Sequence, residues 1–258
     1  MRNRQAFLTA LMAALAVGIV IGLGALLTGE IRTLPGNPPS TVTAPDLQQA
    51  HRLAGYAAAV ITIGLAITAR SLTAWLALAA TLAEIALAPI PLAHATLSPV
   101  CFALIIATAA LHSNSWQAGP QPVPAAFKAL RPLGIIVPIL VFIQIALGAA
   151  FRHNHMGVIS HILNAMIVLT IILIPGVAIL RTYPEHPALR PAALALVIIA
   201  GVQVLLGFSV YLVLLMSSEN NTGLIVTSLL HVLNGAFTLA ASLVLAIAMQ
   251  RNLIQSGV

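Results

Sequence analysis

Apolar stretches of roughly membrane-spanning length, parted by short polar breaks, make up most of this chain. A helix needs about 20 apolar residues to cross the hydrocarbon core of a bilayer. Charge-free or nearly charge-free runs predict eight such helices, near residues 6–28, 50–69, 72–90, 93–112, 133–151, 157–180, 191–213 and 223–249. Pro89 and Pro91 divide the third from the fourth, where no charged residue does, because proline breaks or turns a helix. The basic start of the first run also suits a signal peptide, but the run is longer than an h-region and the repeat described next needs it as a helix. The segment Ser113–Pro124 is polar and proline-rich. It divides the chain into an N-terminal half (1–116), a cytoplasmic linker (117–131) and a C-terminal half (132–258).

The polar positions inside these runs repeat. Ser160-His161-Ile162-Leu163-Asn164 returns as Leu230-His231-Val232-Leu233-Asn234, and each histidine opens an apolar run. The run before each carries Q-x-x-L-G, Gln144 to Gly148 and Gln203 to Gly207. Looser copies precede His94 (Glu84 to Ala88) and His51 (Val20 to Gly24). Four helical hairpins, each with a histidine at the mouth of its second helix, predict an all-α integral membrane protein. Its eight transmembrane helices form two parallel-repeat four-helix bundles. The residue four places after each histidine is small (Gly55, Ser98, Ala165, Gly235) and lies one turn along the same face, which leaves room for a flat macrocycle against the backbone.

Composition fits this picture. Hydrophobic residues make up 60% and charged residues 6%, against about 25% charged in a soluble domain, so the chain is expected to sit in a lipid bilayer. The net charge of +6 comes from scattered cations, which excludes a nucleic-acid partner. One cysteine, Cys101, excludes an intrachain disulfide and a cysteine-based metal cluster. With the N-terminus inside, Arg2, Arg4, Arg70, Lys128, Arg131, Arg181, Arg190 and Arg251 face inward, and only Arg32, Arg52 and Arg152 face outward. That bias puts both termini in the cytoplasm and all four repeat histidines towards the outer face. Compact loops and short termini suit a bacterial plasma (inner) membrane.

Two histidines per half, on neighbouring helices at one depth, are what bis-histidine ligation of a haem iron requires. Histidines within a membrane are costly unless paired or liganded. A bland alternative is a hydrogen bond from each ring to a carbonyl or serine at a helix start. Zinc is the weaker rival, since neither cysteine nor a nearby carboxylate is expected at those depths. Arg52 and Arg152 stand on the disfavoured side, where they suit haem propionates or snorkel at headgroup depth. Glu84 is the acidic residue well inside a span, open to a proton relay, a substrate contact or a helix–helix hydrogen bond. Gln48, Gln144 and Gln203 are expected in interhelical hydrogen bonds. His153 and His155 read as solvated loop residues, and His112 and His186 as interfacial.

The motifs resemble the heme A synthase family over nearly the whole chain. Ala150-Phe151-Arg152-His153 after Q-I-A-L-Gly148, then Ser160-His161-Ile-Leu-Asn, and Leu230-His231-Val-Leu-Asn-Gly after Q-V-L-L-Gly207 are similar to its second half. Gln49-Ala50-His51-Arg52-Leu-Ala-Gly is similar to the start of its second helix. The resemblance implies that His161 and His231 ligate a structural haem b. It implies that His51 and His94 hold haem O or haem A, a methyl group of haem O being oxidised to the formyl of haem A. Gln48 and Glu84 are then the catalytic candidates. Gln48 stands where the family usually has an acid, the 29–49 loop lacks a cysteine pair, and the connection between the third and fourth helices is short. These departures keep a second reading open: a noncatalytic di-haem b-type cytochrome subunit that transfers electrons in a membrane complex. Respiratory-chain or haem-biosynthesis membrane proteins are the partners these readings imply.

Overall fold

A computed structural model describes residues 2–31, 44–127, 129–216 and 222–254. Arg32 and Lys128, which entered the charge count above, lie outside these residues. The long helices are α1 (Arg2–Ile31), α2 (Ala44–Ala69), α4 (Pro91–Leu111), α6 (Leu130–Arg152), α7 (Val158–Thr182), α8 (Leu189–Met216) and α9 (Thr222–Asn252). Among the described residues these seven are long and apolar enough to cross a membrane, so the chain is an all-α membrane protein. Two shorter helices are α3 (Leu72–Ala86) and α5 (Asn114–Gln117).

α3 is shorter than the sequence pattern predicts. Its 15 residues rise about 22 Å, less than the roughly 30 Å hydrocarbon core. Ser71 caps its start by accepting the Ala74 N–H at 3.3 Å. Its end comes at Ala86, four residues early, because the position before Pro89 is pushed out of the α region. The amides of Leu87 and Ala88 close a last turn on Ala83 and Ile85. α4 starts at once, with Pro91 in its first turn, where a missing N–H costs nothing.

α1 packs on α2, α2 on α3, α3 on α4 and α4 back on α1; α6, α7, α8 and α9 close in the same order. The two rings meet where α4 packs on α9, flanked by α1 on α9 and α4 on α6. Ala6, Ala10, Ala13 and Val17 line the buried face of α1, and Ala236, Ala240, Leu245 and Met249 that of α9. Small side chains let helix backbones approach closely where no water is present to drive association. Large apolar residues such as Leu15, Val60, Trp75, Ile159 and Leu205 point outward, as a lipid-facing surface requires.

Part of the 117–131 linker is folded against the end of α9. β1 (Val123–Pro124) pairs in parallel with β2 (Leu253–Ile254) just after α9. Gln121 N–H donates to Asn252 Oδ1 at 2.9 Å, and Arg251 stacks 4.3 Å over the Trp116 ring. His186 is buried here. Its Nδ1 accepts the amides of Ala188 and Leu189 at 3.2 and 3.1 Å, so Nε2 carries the proton and donates to Gln121 O at 2.9 Å. His112 turns back onto Thr108 O at 2.9 Å. This belt ties the start of α1 to the ends of α4 and α9, with Asn3 reaching Gln117. The four repeat histidines lie at the opposite end of the helices.

Candidate functional site

His51 lies in the second turn of α2 and His94 in the first turn of α4. The α1–α2–α3–α4 ring brings them together. Their Nε2 atoms are 3.1 Å apart and their rings meet edge to face, centroids 5.4 Å apart. His94 Nδ1 lies 3.0 Å from the main-chain oxygen of Glu84, to which it donates. The Nε2 lone pair of His94 therefore faces His51.

Glu84 is buried and accepts a hydrogen bond from Ser98 Oγ. Its Oε1 is 4.0 Å from His94 Nε2. The hydrogen bond joins α3 to α4, as expected. The expectation that no carboxylate stands at the depth of the histidines fails for this pair, because α3 ends early and carries Glu84 to the level of His94.

His161 and His231 form the second pair, one turn into α7 and about three turns into α9. Their ring centroids are 6.2 Å apart, with planes at 80°. Each ring is attended by a glutamine from the preceding helix. Gln144 Nε2 lies 3.0 and 3.2 Å from the two ring nitrogens of His161 and donates to the His161 main-chain oxygen at 3.0 Å. Its Oε1 accepts Asn164 Nδ2 at 2.8 Å. Gln203 repeats the arrangement: Oε1 accepts Asn234 Nδ2 at 2.8 Å, and Nε2 is 3.4 Å from His231 Nε2. The two glutamines are thus interhelical, as expected. That they reach the imidazoles was not foreseen, although the paired Q-x-x-L-G and H-x-x-N spacings carried the signal.

Three of the four rings lie on bare backbone. A Cβ at Gly24 would stand 3.2 Å from His51 Cε1; at Gly148 it would stand 2.8 Å from His161 Cε1, and at Gly207 3.0 Å from His231 Cε1. A side chain at Gly148 would force the imidazole to shift, and at Gly207 and Gly24 the ring would have to give by a few tenths of an ångström. The small residue that makes room therefore belongs to the preceding helix rather than to the position four after the histidine. Of the latter set, Gly55 faces open space and Gly235 faces Gln203 Nε2 at 3.4 Å, while Ser98 is the donor to Glu84.

Axial imidazoles on opposite sides of one iron, with metal–nitrogen bonds of about 2 Å, put Nε2 atoms about 4 Å and ring centres about 6 Å apart. The ring centres of the second pair, 6.2 Å apart, meet the second of these spacings. The first pair is about 1 Å too close and must part to admit an iron. The Nδ1 atoms of His51 and His231 are buried, and the main-chain groups of Val20 and Gln203 act on these two rings, at the repeat position from which Glu84 O accepts from His94. Among the described residues no three histidine, cysteine or acidic groups gather on a common point.

The remaining candidates are more peripheral. Arg52 and Gln48 are exposed on α2. Arg152, the last residue of α6, is half-buried and donates from its guanidinium to the main-chain oxygen of Ala25 on α1. His155 is exposed, whereas His153 is partly buried with Nε2 lacking a partner. Burial first, then the charges of Arg152 and His155, hold its imidazole below the usual histidine range.

Set against known proteins, the sequence matches no family model and no curated protein.

Proposed function

We propose that this chain is a haem-binding membrane protein of heme A synthase type, built from eight spans with α3 the short one. The two rings act as parallel repeats. Exchanging α1–α4 for α6–α9 turns the α1–α9 contact into the α6–α4 contact, and both occur. Both termini face the cytoplasm and the histidine end faces outward, in the plasma membrane of a bacterium. In this reading His161 and His231 hold a haem b, and His51 and His94 hold the farnesylated haem whose methyl group is oxidised.

The observation that carries the reading is the seating of the histidines. They come in two pairs, in one hairpin register, three of them on glycine backbone where a Cβ would intrude. Haem, when bound, supplies the electron-transfer and oxidising chemistry. The protein supplies axial imidazoles, an apolar ring that excludes water, and Gln144 and Gln203 to orient the second pair. In the first ring, Glu84 and Ser98 place a carboxyl group beside His94, a position the second ring fills with the neutral Gln203. That difference favours chemistry in the first ring and electron supply from the second.

One observation favours the cytochrome reading: Gln48 is uncharged and exposed where the synthase family usually has an acid. The test is turnover. Purified protein supplied with haem O, a reductant and oxygen is expected to yield a haem whose methyl group has become a formyl, separable by chromatography. Full haem occupancy with no product over many multiples of the enzyme concentration would establish the di-haem cytochrome instead.

A further inference from the structure

α7 carries a groove on its outward face, at the belt end of the molecule and away from both histidine pairs. Thr170, Leu173, Ile174, Val177 and Arg181 line it at helical spacing, and Phe127 from the linker forms its far wall. Its volume of about 510 Å³ lies within the roughly 300–1,000 Å³ of small-molecule sites. The wall is anchored to the helix it faces. Tyr183, the residue after α7, accepts the Ala126 N–H on its hydroxyl at 2.8 Å and donates that hydroxyl to Pro124 O. One side chain thereby fixes the segment that leads into Phe127 against the end of α7. The rise from Thr170 to Arg181 is about 16 Å, close to half of the roughly 30 Å hydrocarbon core. The groove therefore has the length of a single leaflet, and its apolar floor ends in a cation. Arg181 is exposed, and among the described residues no carboxylate pairs with it. Arg4, Arg70, Arg131, Arg190 and Arg251 lie at the same end, where Glu185 is the acid among the described residues, so the surroundings attract anions.

We propose that this groove binds one anionic glycerophospholipid from the leaflet at the belt end, with its phosphate on Arg181 and one acyl chain along α7 beneath Phe127. The guanidinium fork matches the two free oxygens of a phosphodiester. Leu173, Ile174 and Val177, which are exposed, give the chain an apolar bed, and the Phe127 ring covers it from the other side. With the orientation proposed above, this is the cytoplasmic leaflet, whose anionic lipids are drawn to cations at the membrane surface. A lipid held between α7 and Phe127 adds apolar contact to a segment that Tyr183 ties through a single hydroxyl, so the linker packs more firmly when the site is filled.

Native mass spectrometry of the full chain in detergent tests this, with phosphatidylglycerol and phosphatidylcholine of the same acyl chains titrated in turn. The parent is expected to retain one phosphatidylglycerol about fivefold more tightly than phosphatidylcholine, the factor that one cation at an anionic headgroup supplies. Arg181→Gln is expected to abolish that preference and Arg181→Lys, which keeps the charge, to retain most of it. Arg190→Gln removes an exposed cation at the same end but outside the groove, and is expected to leave the preference unchanged. Phe127→Ala is expected to weaken both lipids alike. Equal retention of the two lipids by the parent, or a preference that survives Arg181→Gln, would overturn the proposal. So would an equal loss in Arg190→Gln, which would make the preference an effect of the whole basic end. A parent that binds neither lipid and is a dimer, which Arg181→Gln dissociates, would give the groove to a second copy of the chain. The measurement needs no haem, so its failure would leave the haem reading standing.

Discussion

His161 and His231 face each other across the second ring with centroids 6.2 Å apart and planes at 80°, the separation expected of two imidazoles on opposite sides of one iron. His161→Ala and His231→Ala are each expected to abolish the sharp reduced-minus-oxidised α-band of the purified protein. A band that survives either change undiminished would move the ligand assignment elsewhere.

The glycine seats give a graded expectation. Alanine in a helix is favoured over glycine by about 1 kcal/mol, whereas overpacking costs about 1–3 kcal/mol. At Gly55, where a Cβ meets nothing within 4 Å, the first effect wins and Gly55→Ala should raise the thermal midpoint slightly. At Gly148, where a Cβ would lie 2.8 Å from His161 Cε1, the second wins and haem occupancy should fall. Gly207→Ala and Gly24→Ala, at 3.0 and 3.2 Å, should follow in that order. Haem-to-protein ratios across the four variants check the ranking.

Gln203 and Asn234 hold His231 without being ligands themselves. Loss of a group that orients a metal ligand costs about 10–100-fold in affinity. Gln203→Leu and Asn234→Leu should therefore weaken haem binding by that range while the helical content measured by circular dichroism stays unchanged. Affinity equal to the parent would make the Gln–Asn bridge a packing feature only.

That Gln144 and Gln203 bridge helices was legible in the sequence, because a helix converts spacing directly into facing positions. The histidines were expected on neighbouring helices, and instead α2 with α4 and α7 with α9 stand diagonally across each ring. What needed the structure is how neighbouring helices are rotated. The Q-x-x-L-G glycines were visible, but that Gly24, Gly148 and Gly207 point at imidazoles depends on the preceding helix. Ser98 read as a small residue making room, and instead it donates to Glu84. Pro89 and Pro91 marked a break, but the early end at Ala86, which brings Glu84 level with His94, came from local backbone restriction that hydropathy does not register. The belt formed by β1, β2 and His186 rests on contacts between segments far apart in sequence. Arg152 was legible as an outward cation, and its reach to Ala25 was not.

At the histidine end, the His153 ring is partly buried and titrates below the ordinary histidine range, chiefly through burial. Unfolded, it would bind protons at higher pH than it does folded. Between its folded value and the usual value near 6.5, the unfolded state thus binds more protons, and stability rises with pH through that window and is reduced below it. His153→Gln should flatten the dependence of the thermal midpoint on pH there. An unchanged slope would assign the acid sensitivity to another group.

Position 48 separates the two functional readings. If the first ring oxidises its haem, restoring the acid with Gln48→Glu should raise the yield of formyl product, and Glu84→Gln should lower it at unchanged haem content. If neither changes any product yield at full occupancy, the electron-transfer cytochrome is the better account.

The most direct measurement is extraction and chromatographic identification of the haems carried by the purified protein, with iron-to-protein stoichiometry. Protohaem together with a farnesylated haem, one of each per chain at saturation, is the result expected of a structural haem at His161 and His231 and a substrate at His51 and His94. A purified, folded protein that carries no haem, and takes up none when it is supplied, would contradict the account at its root.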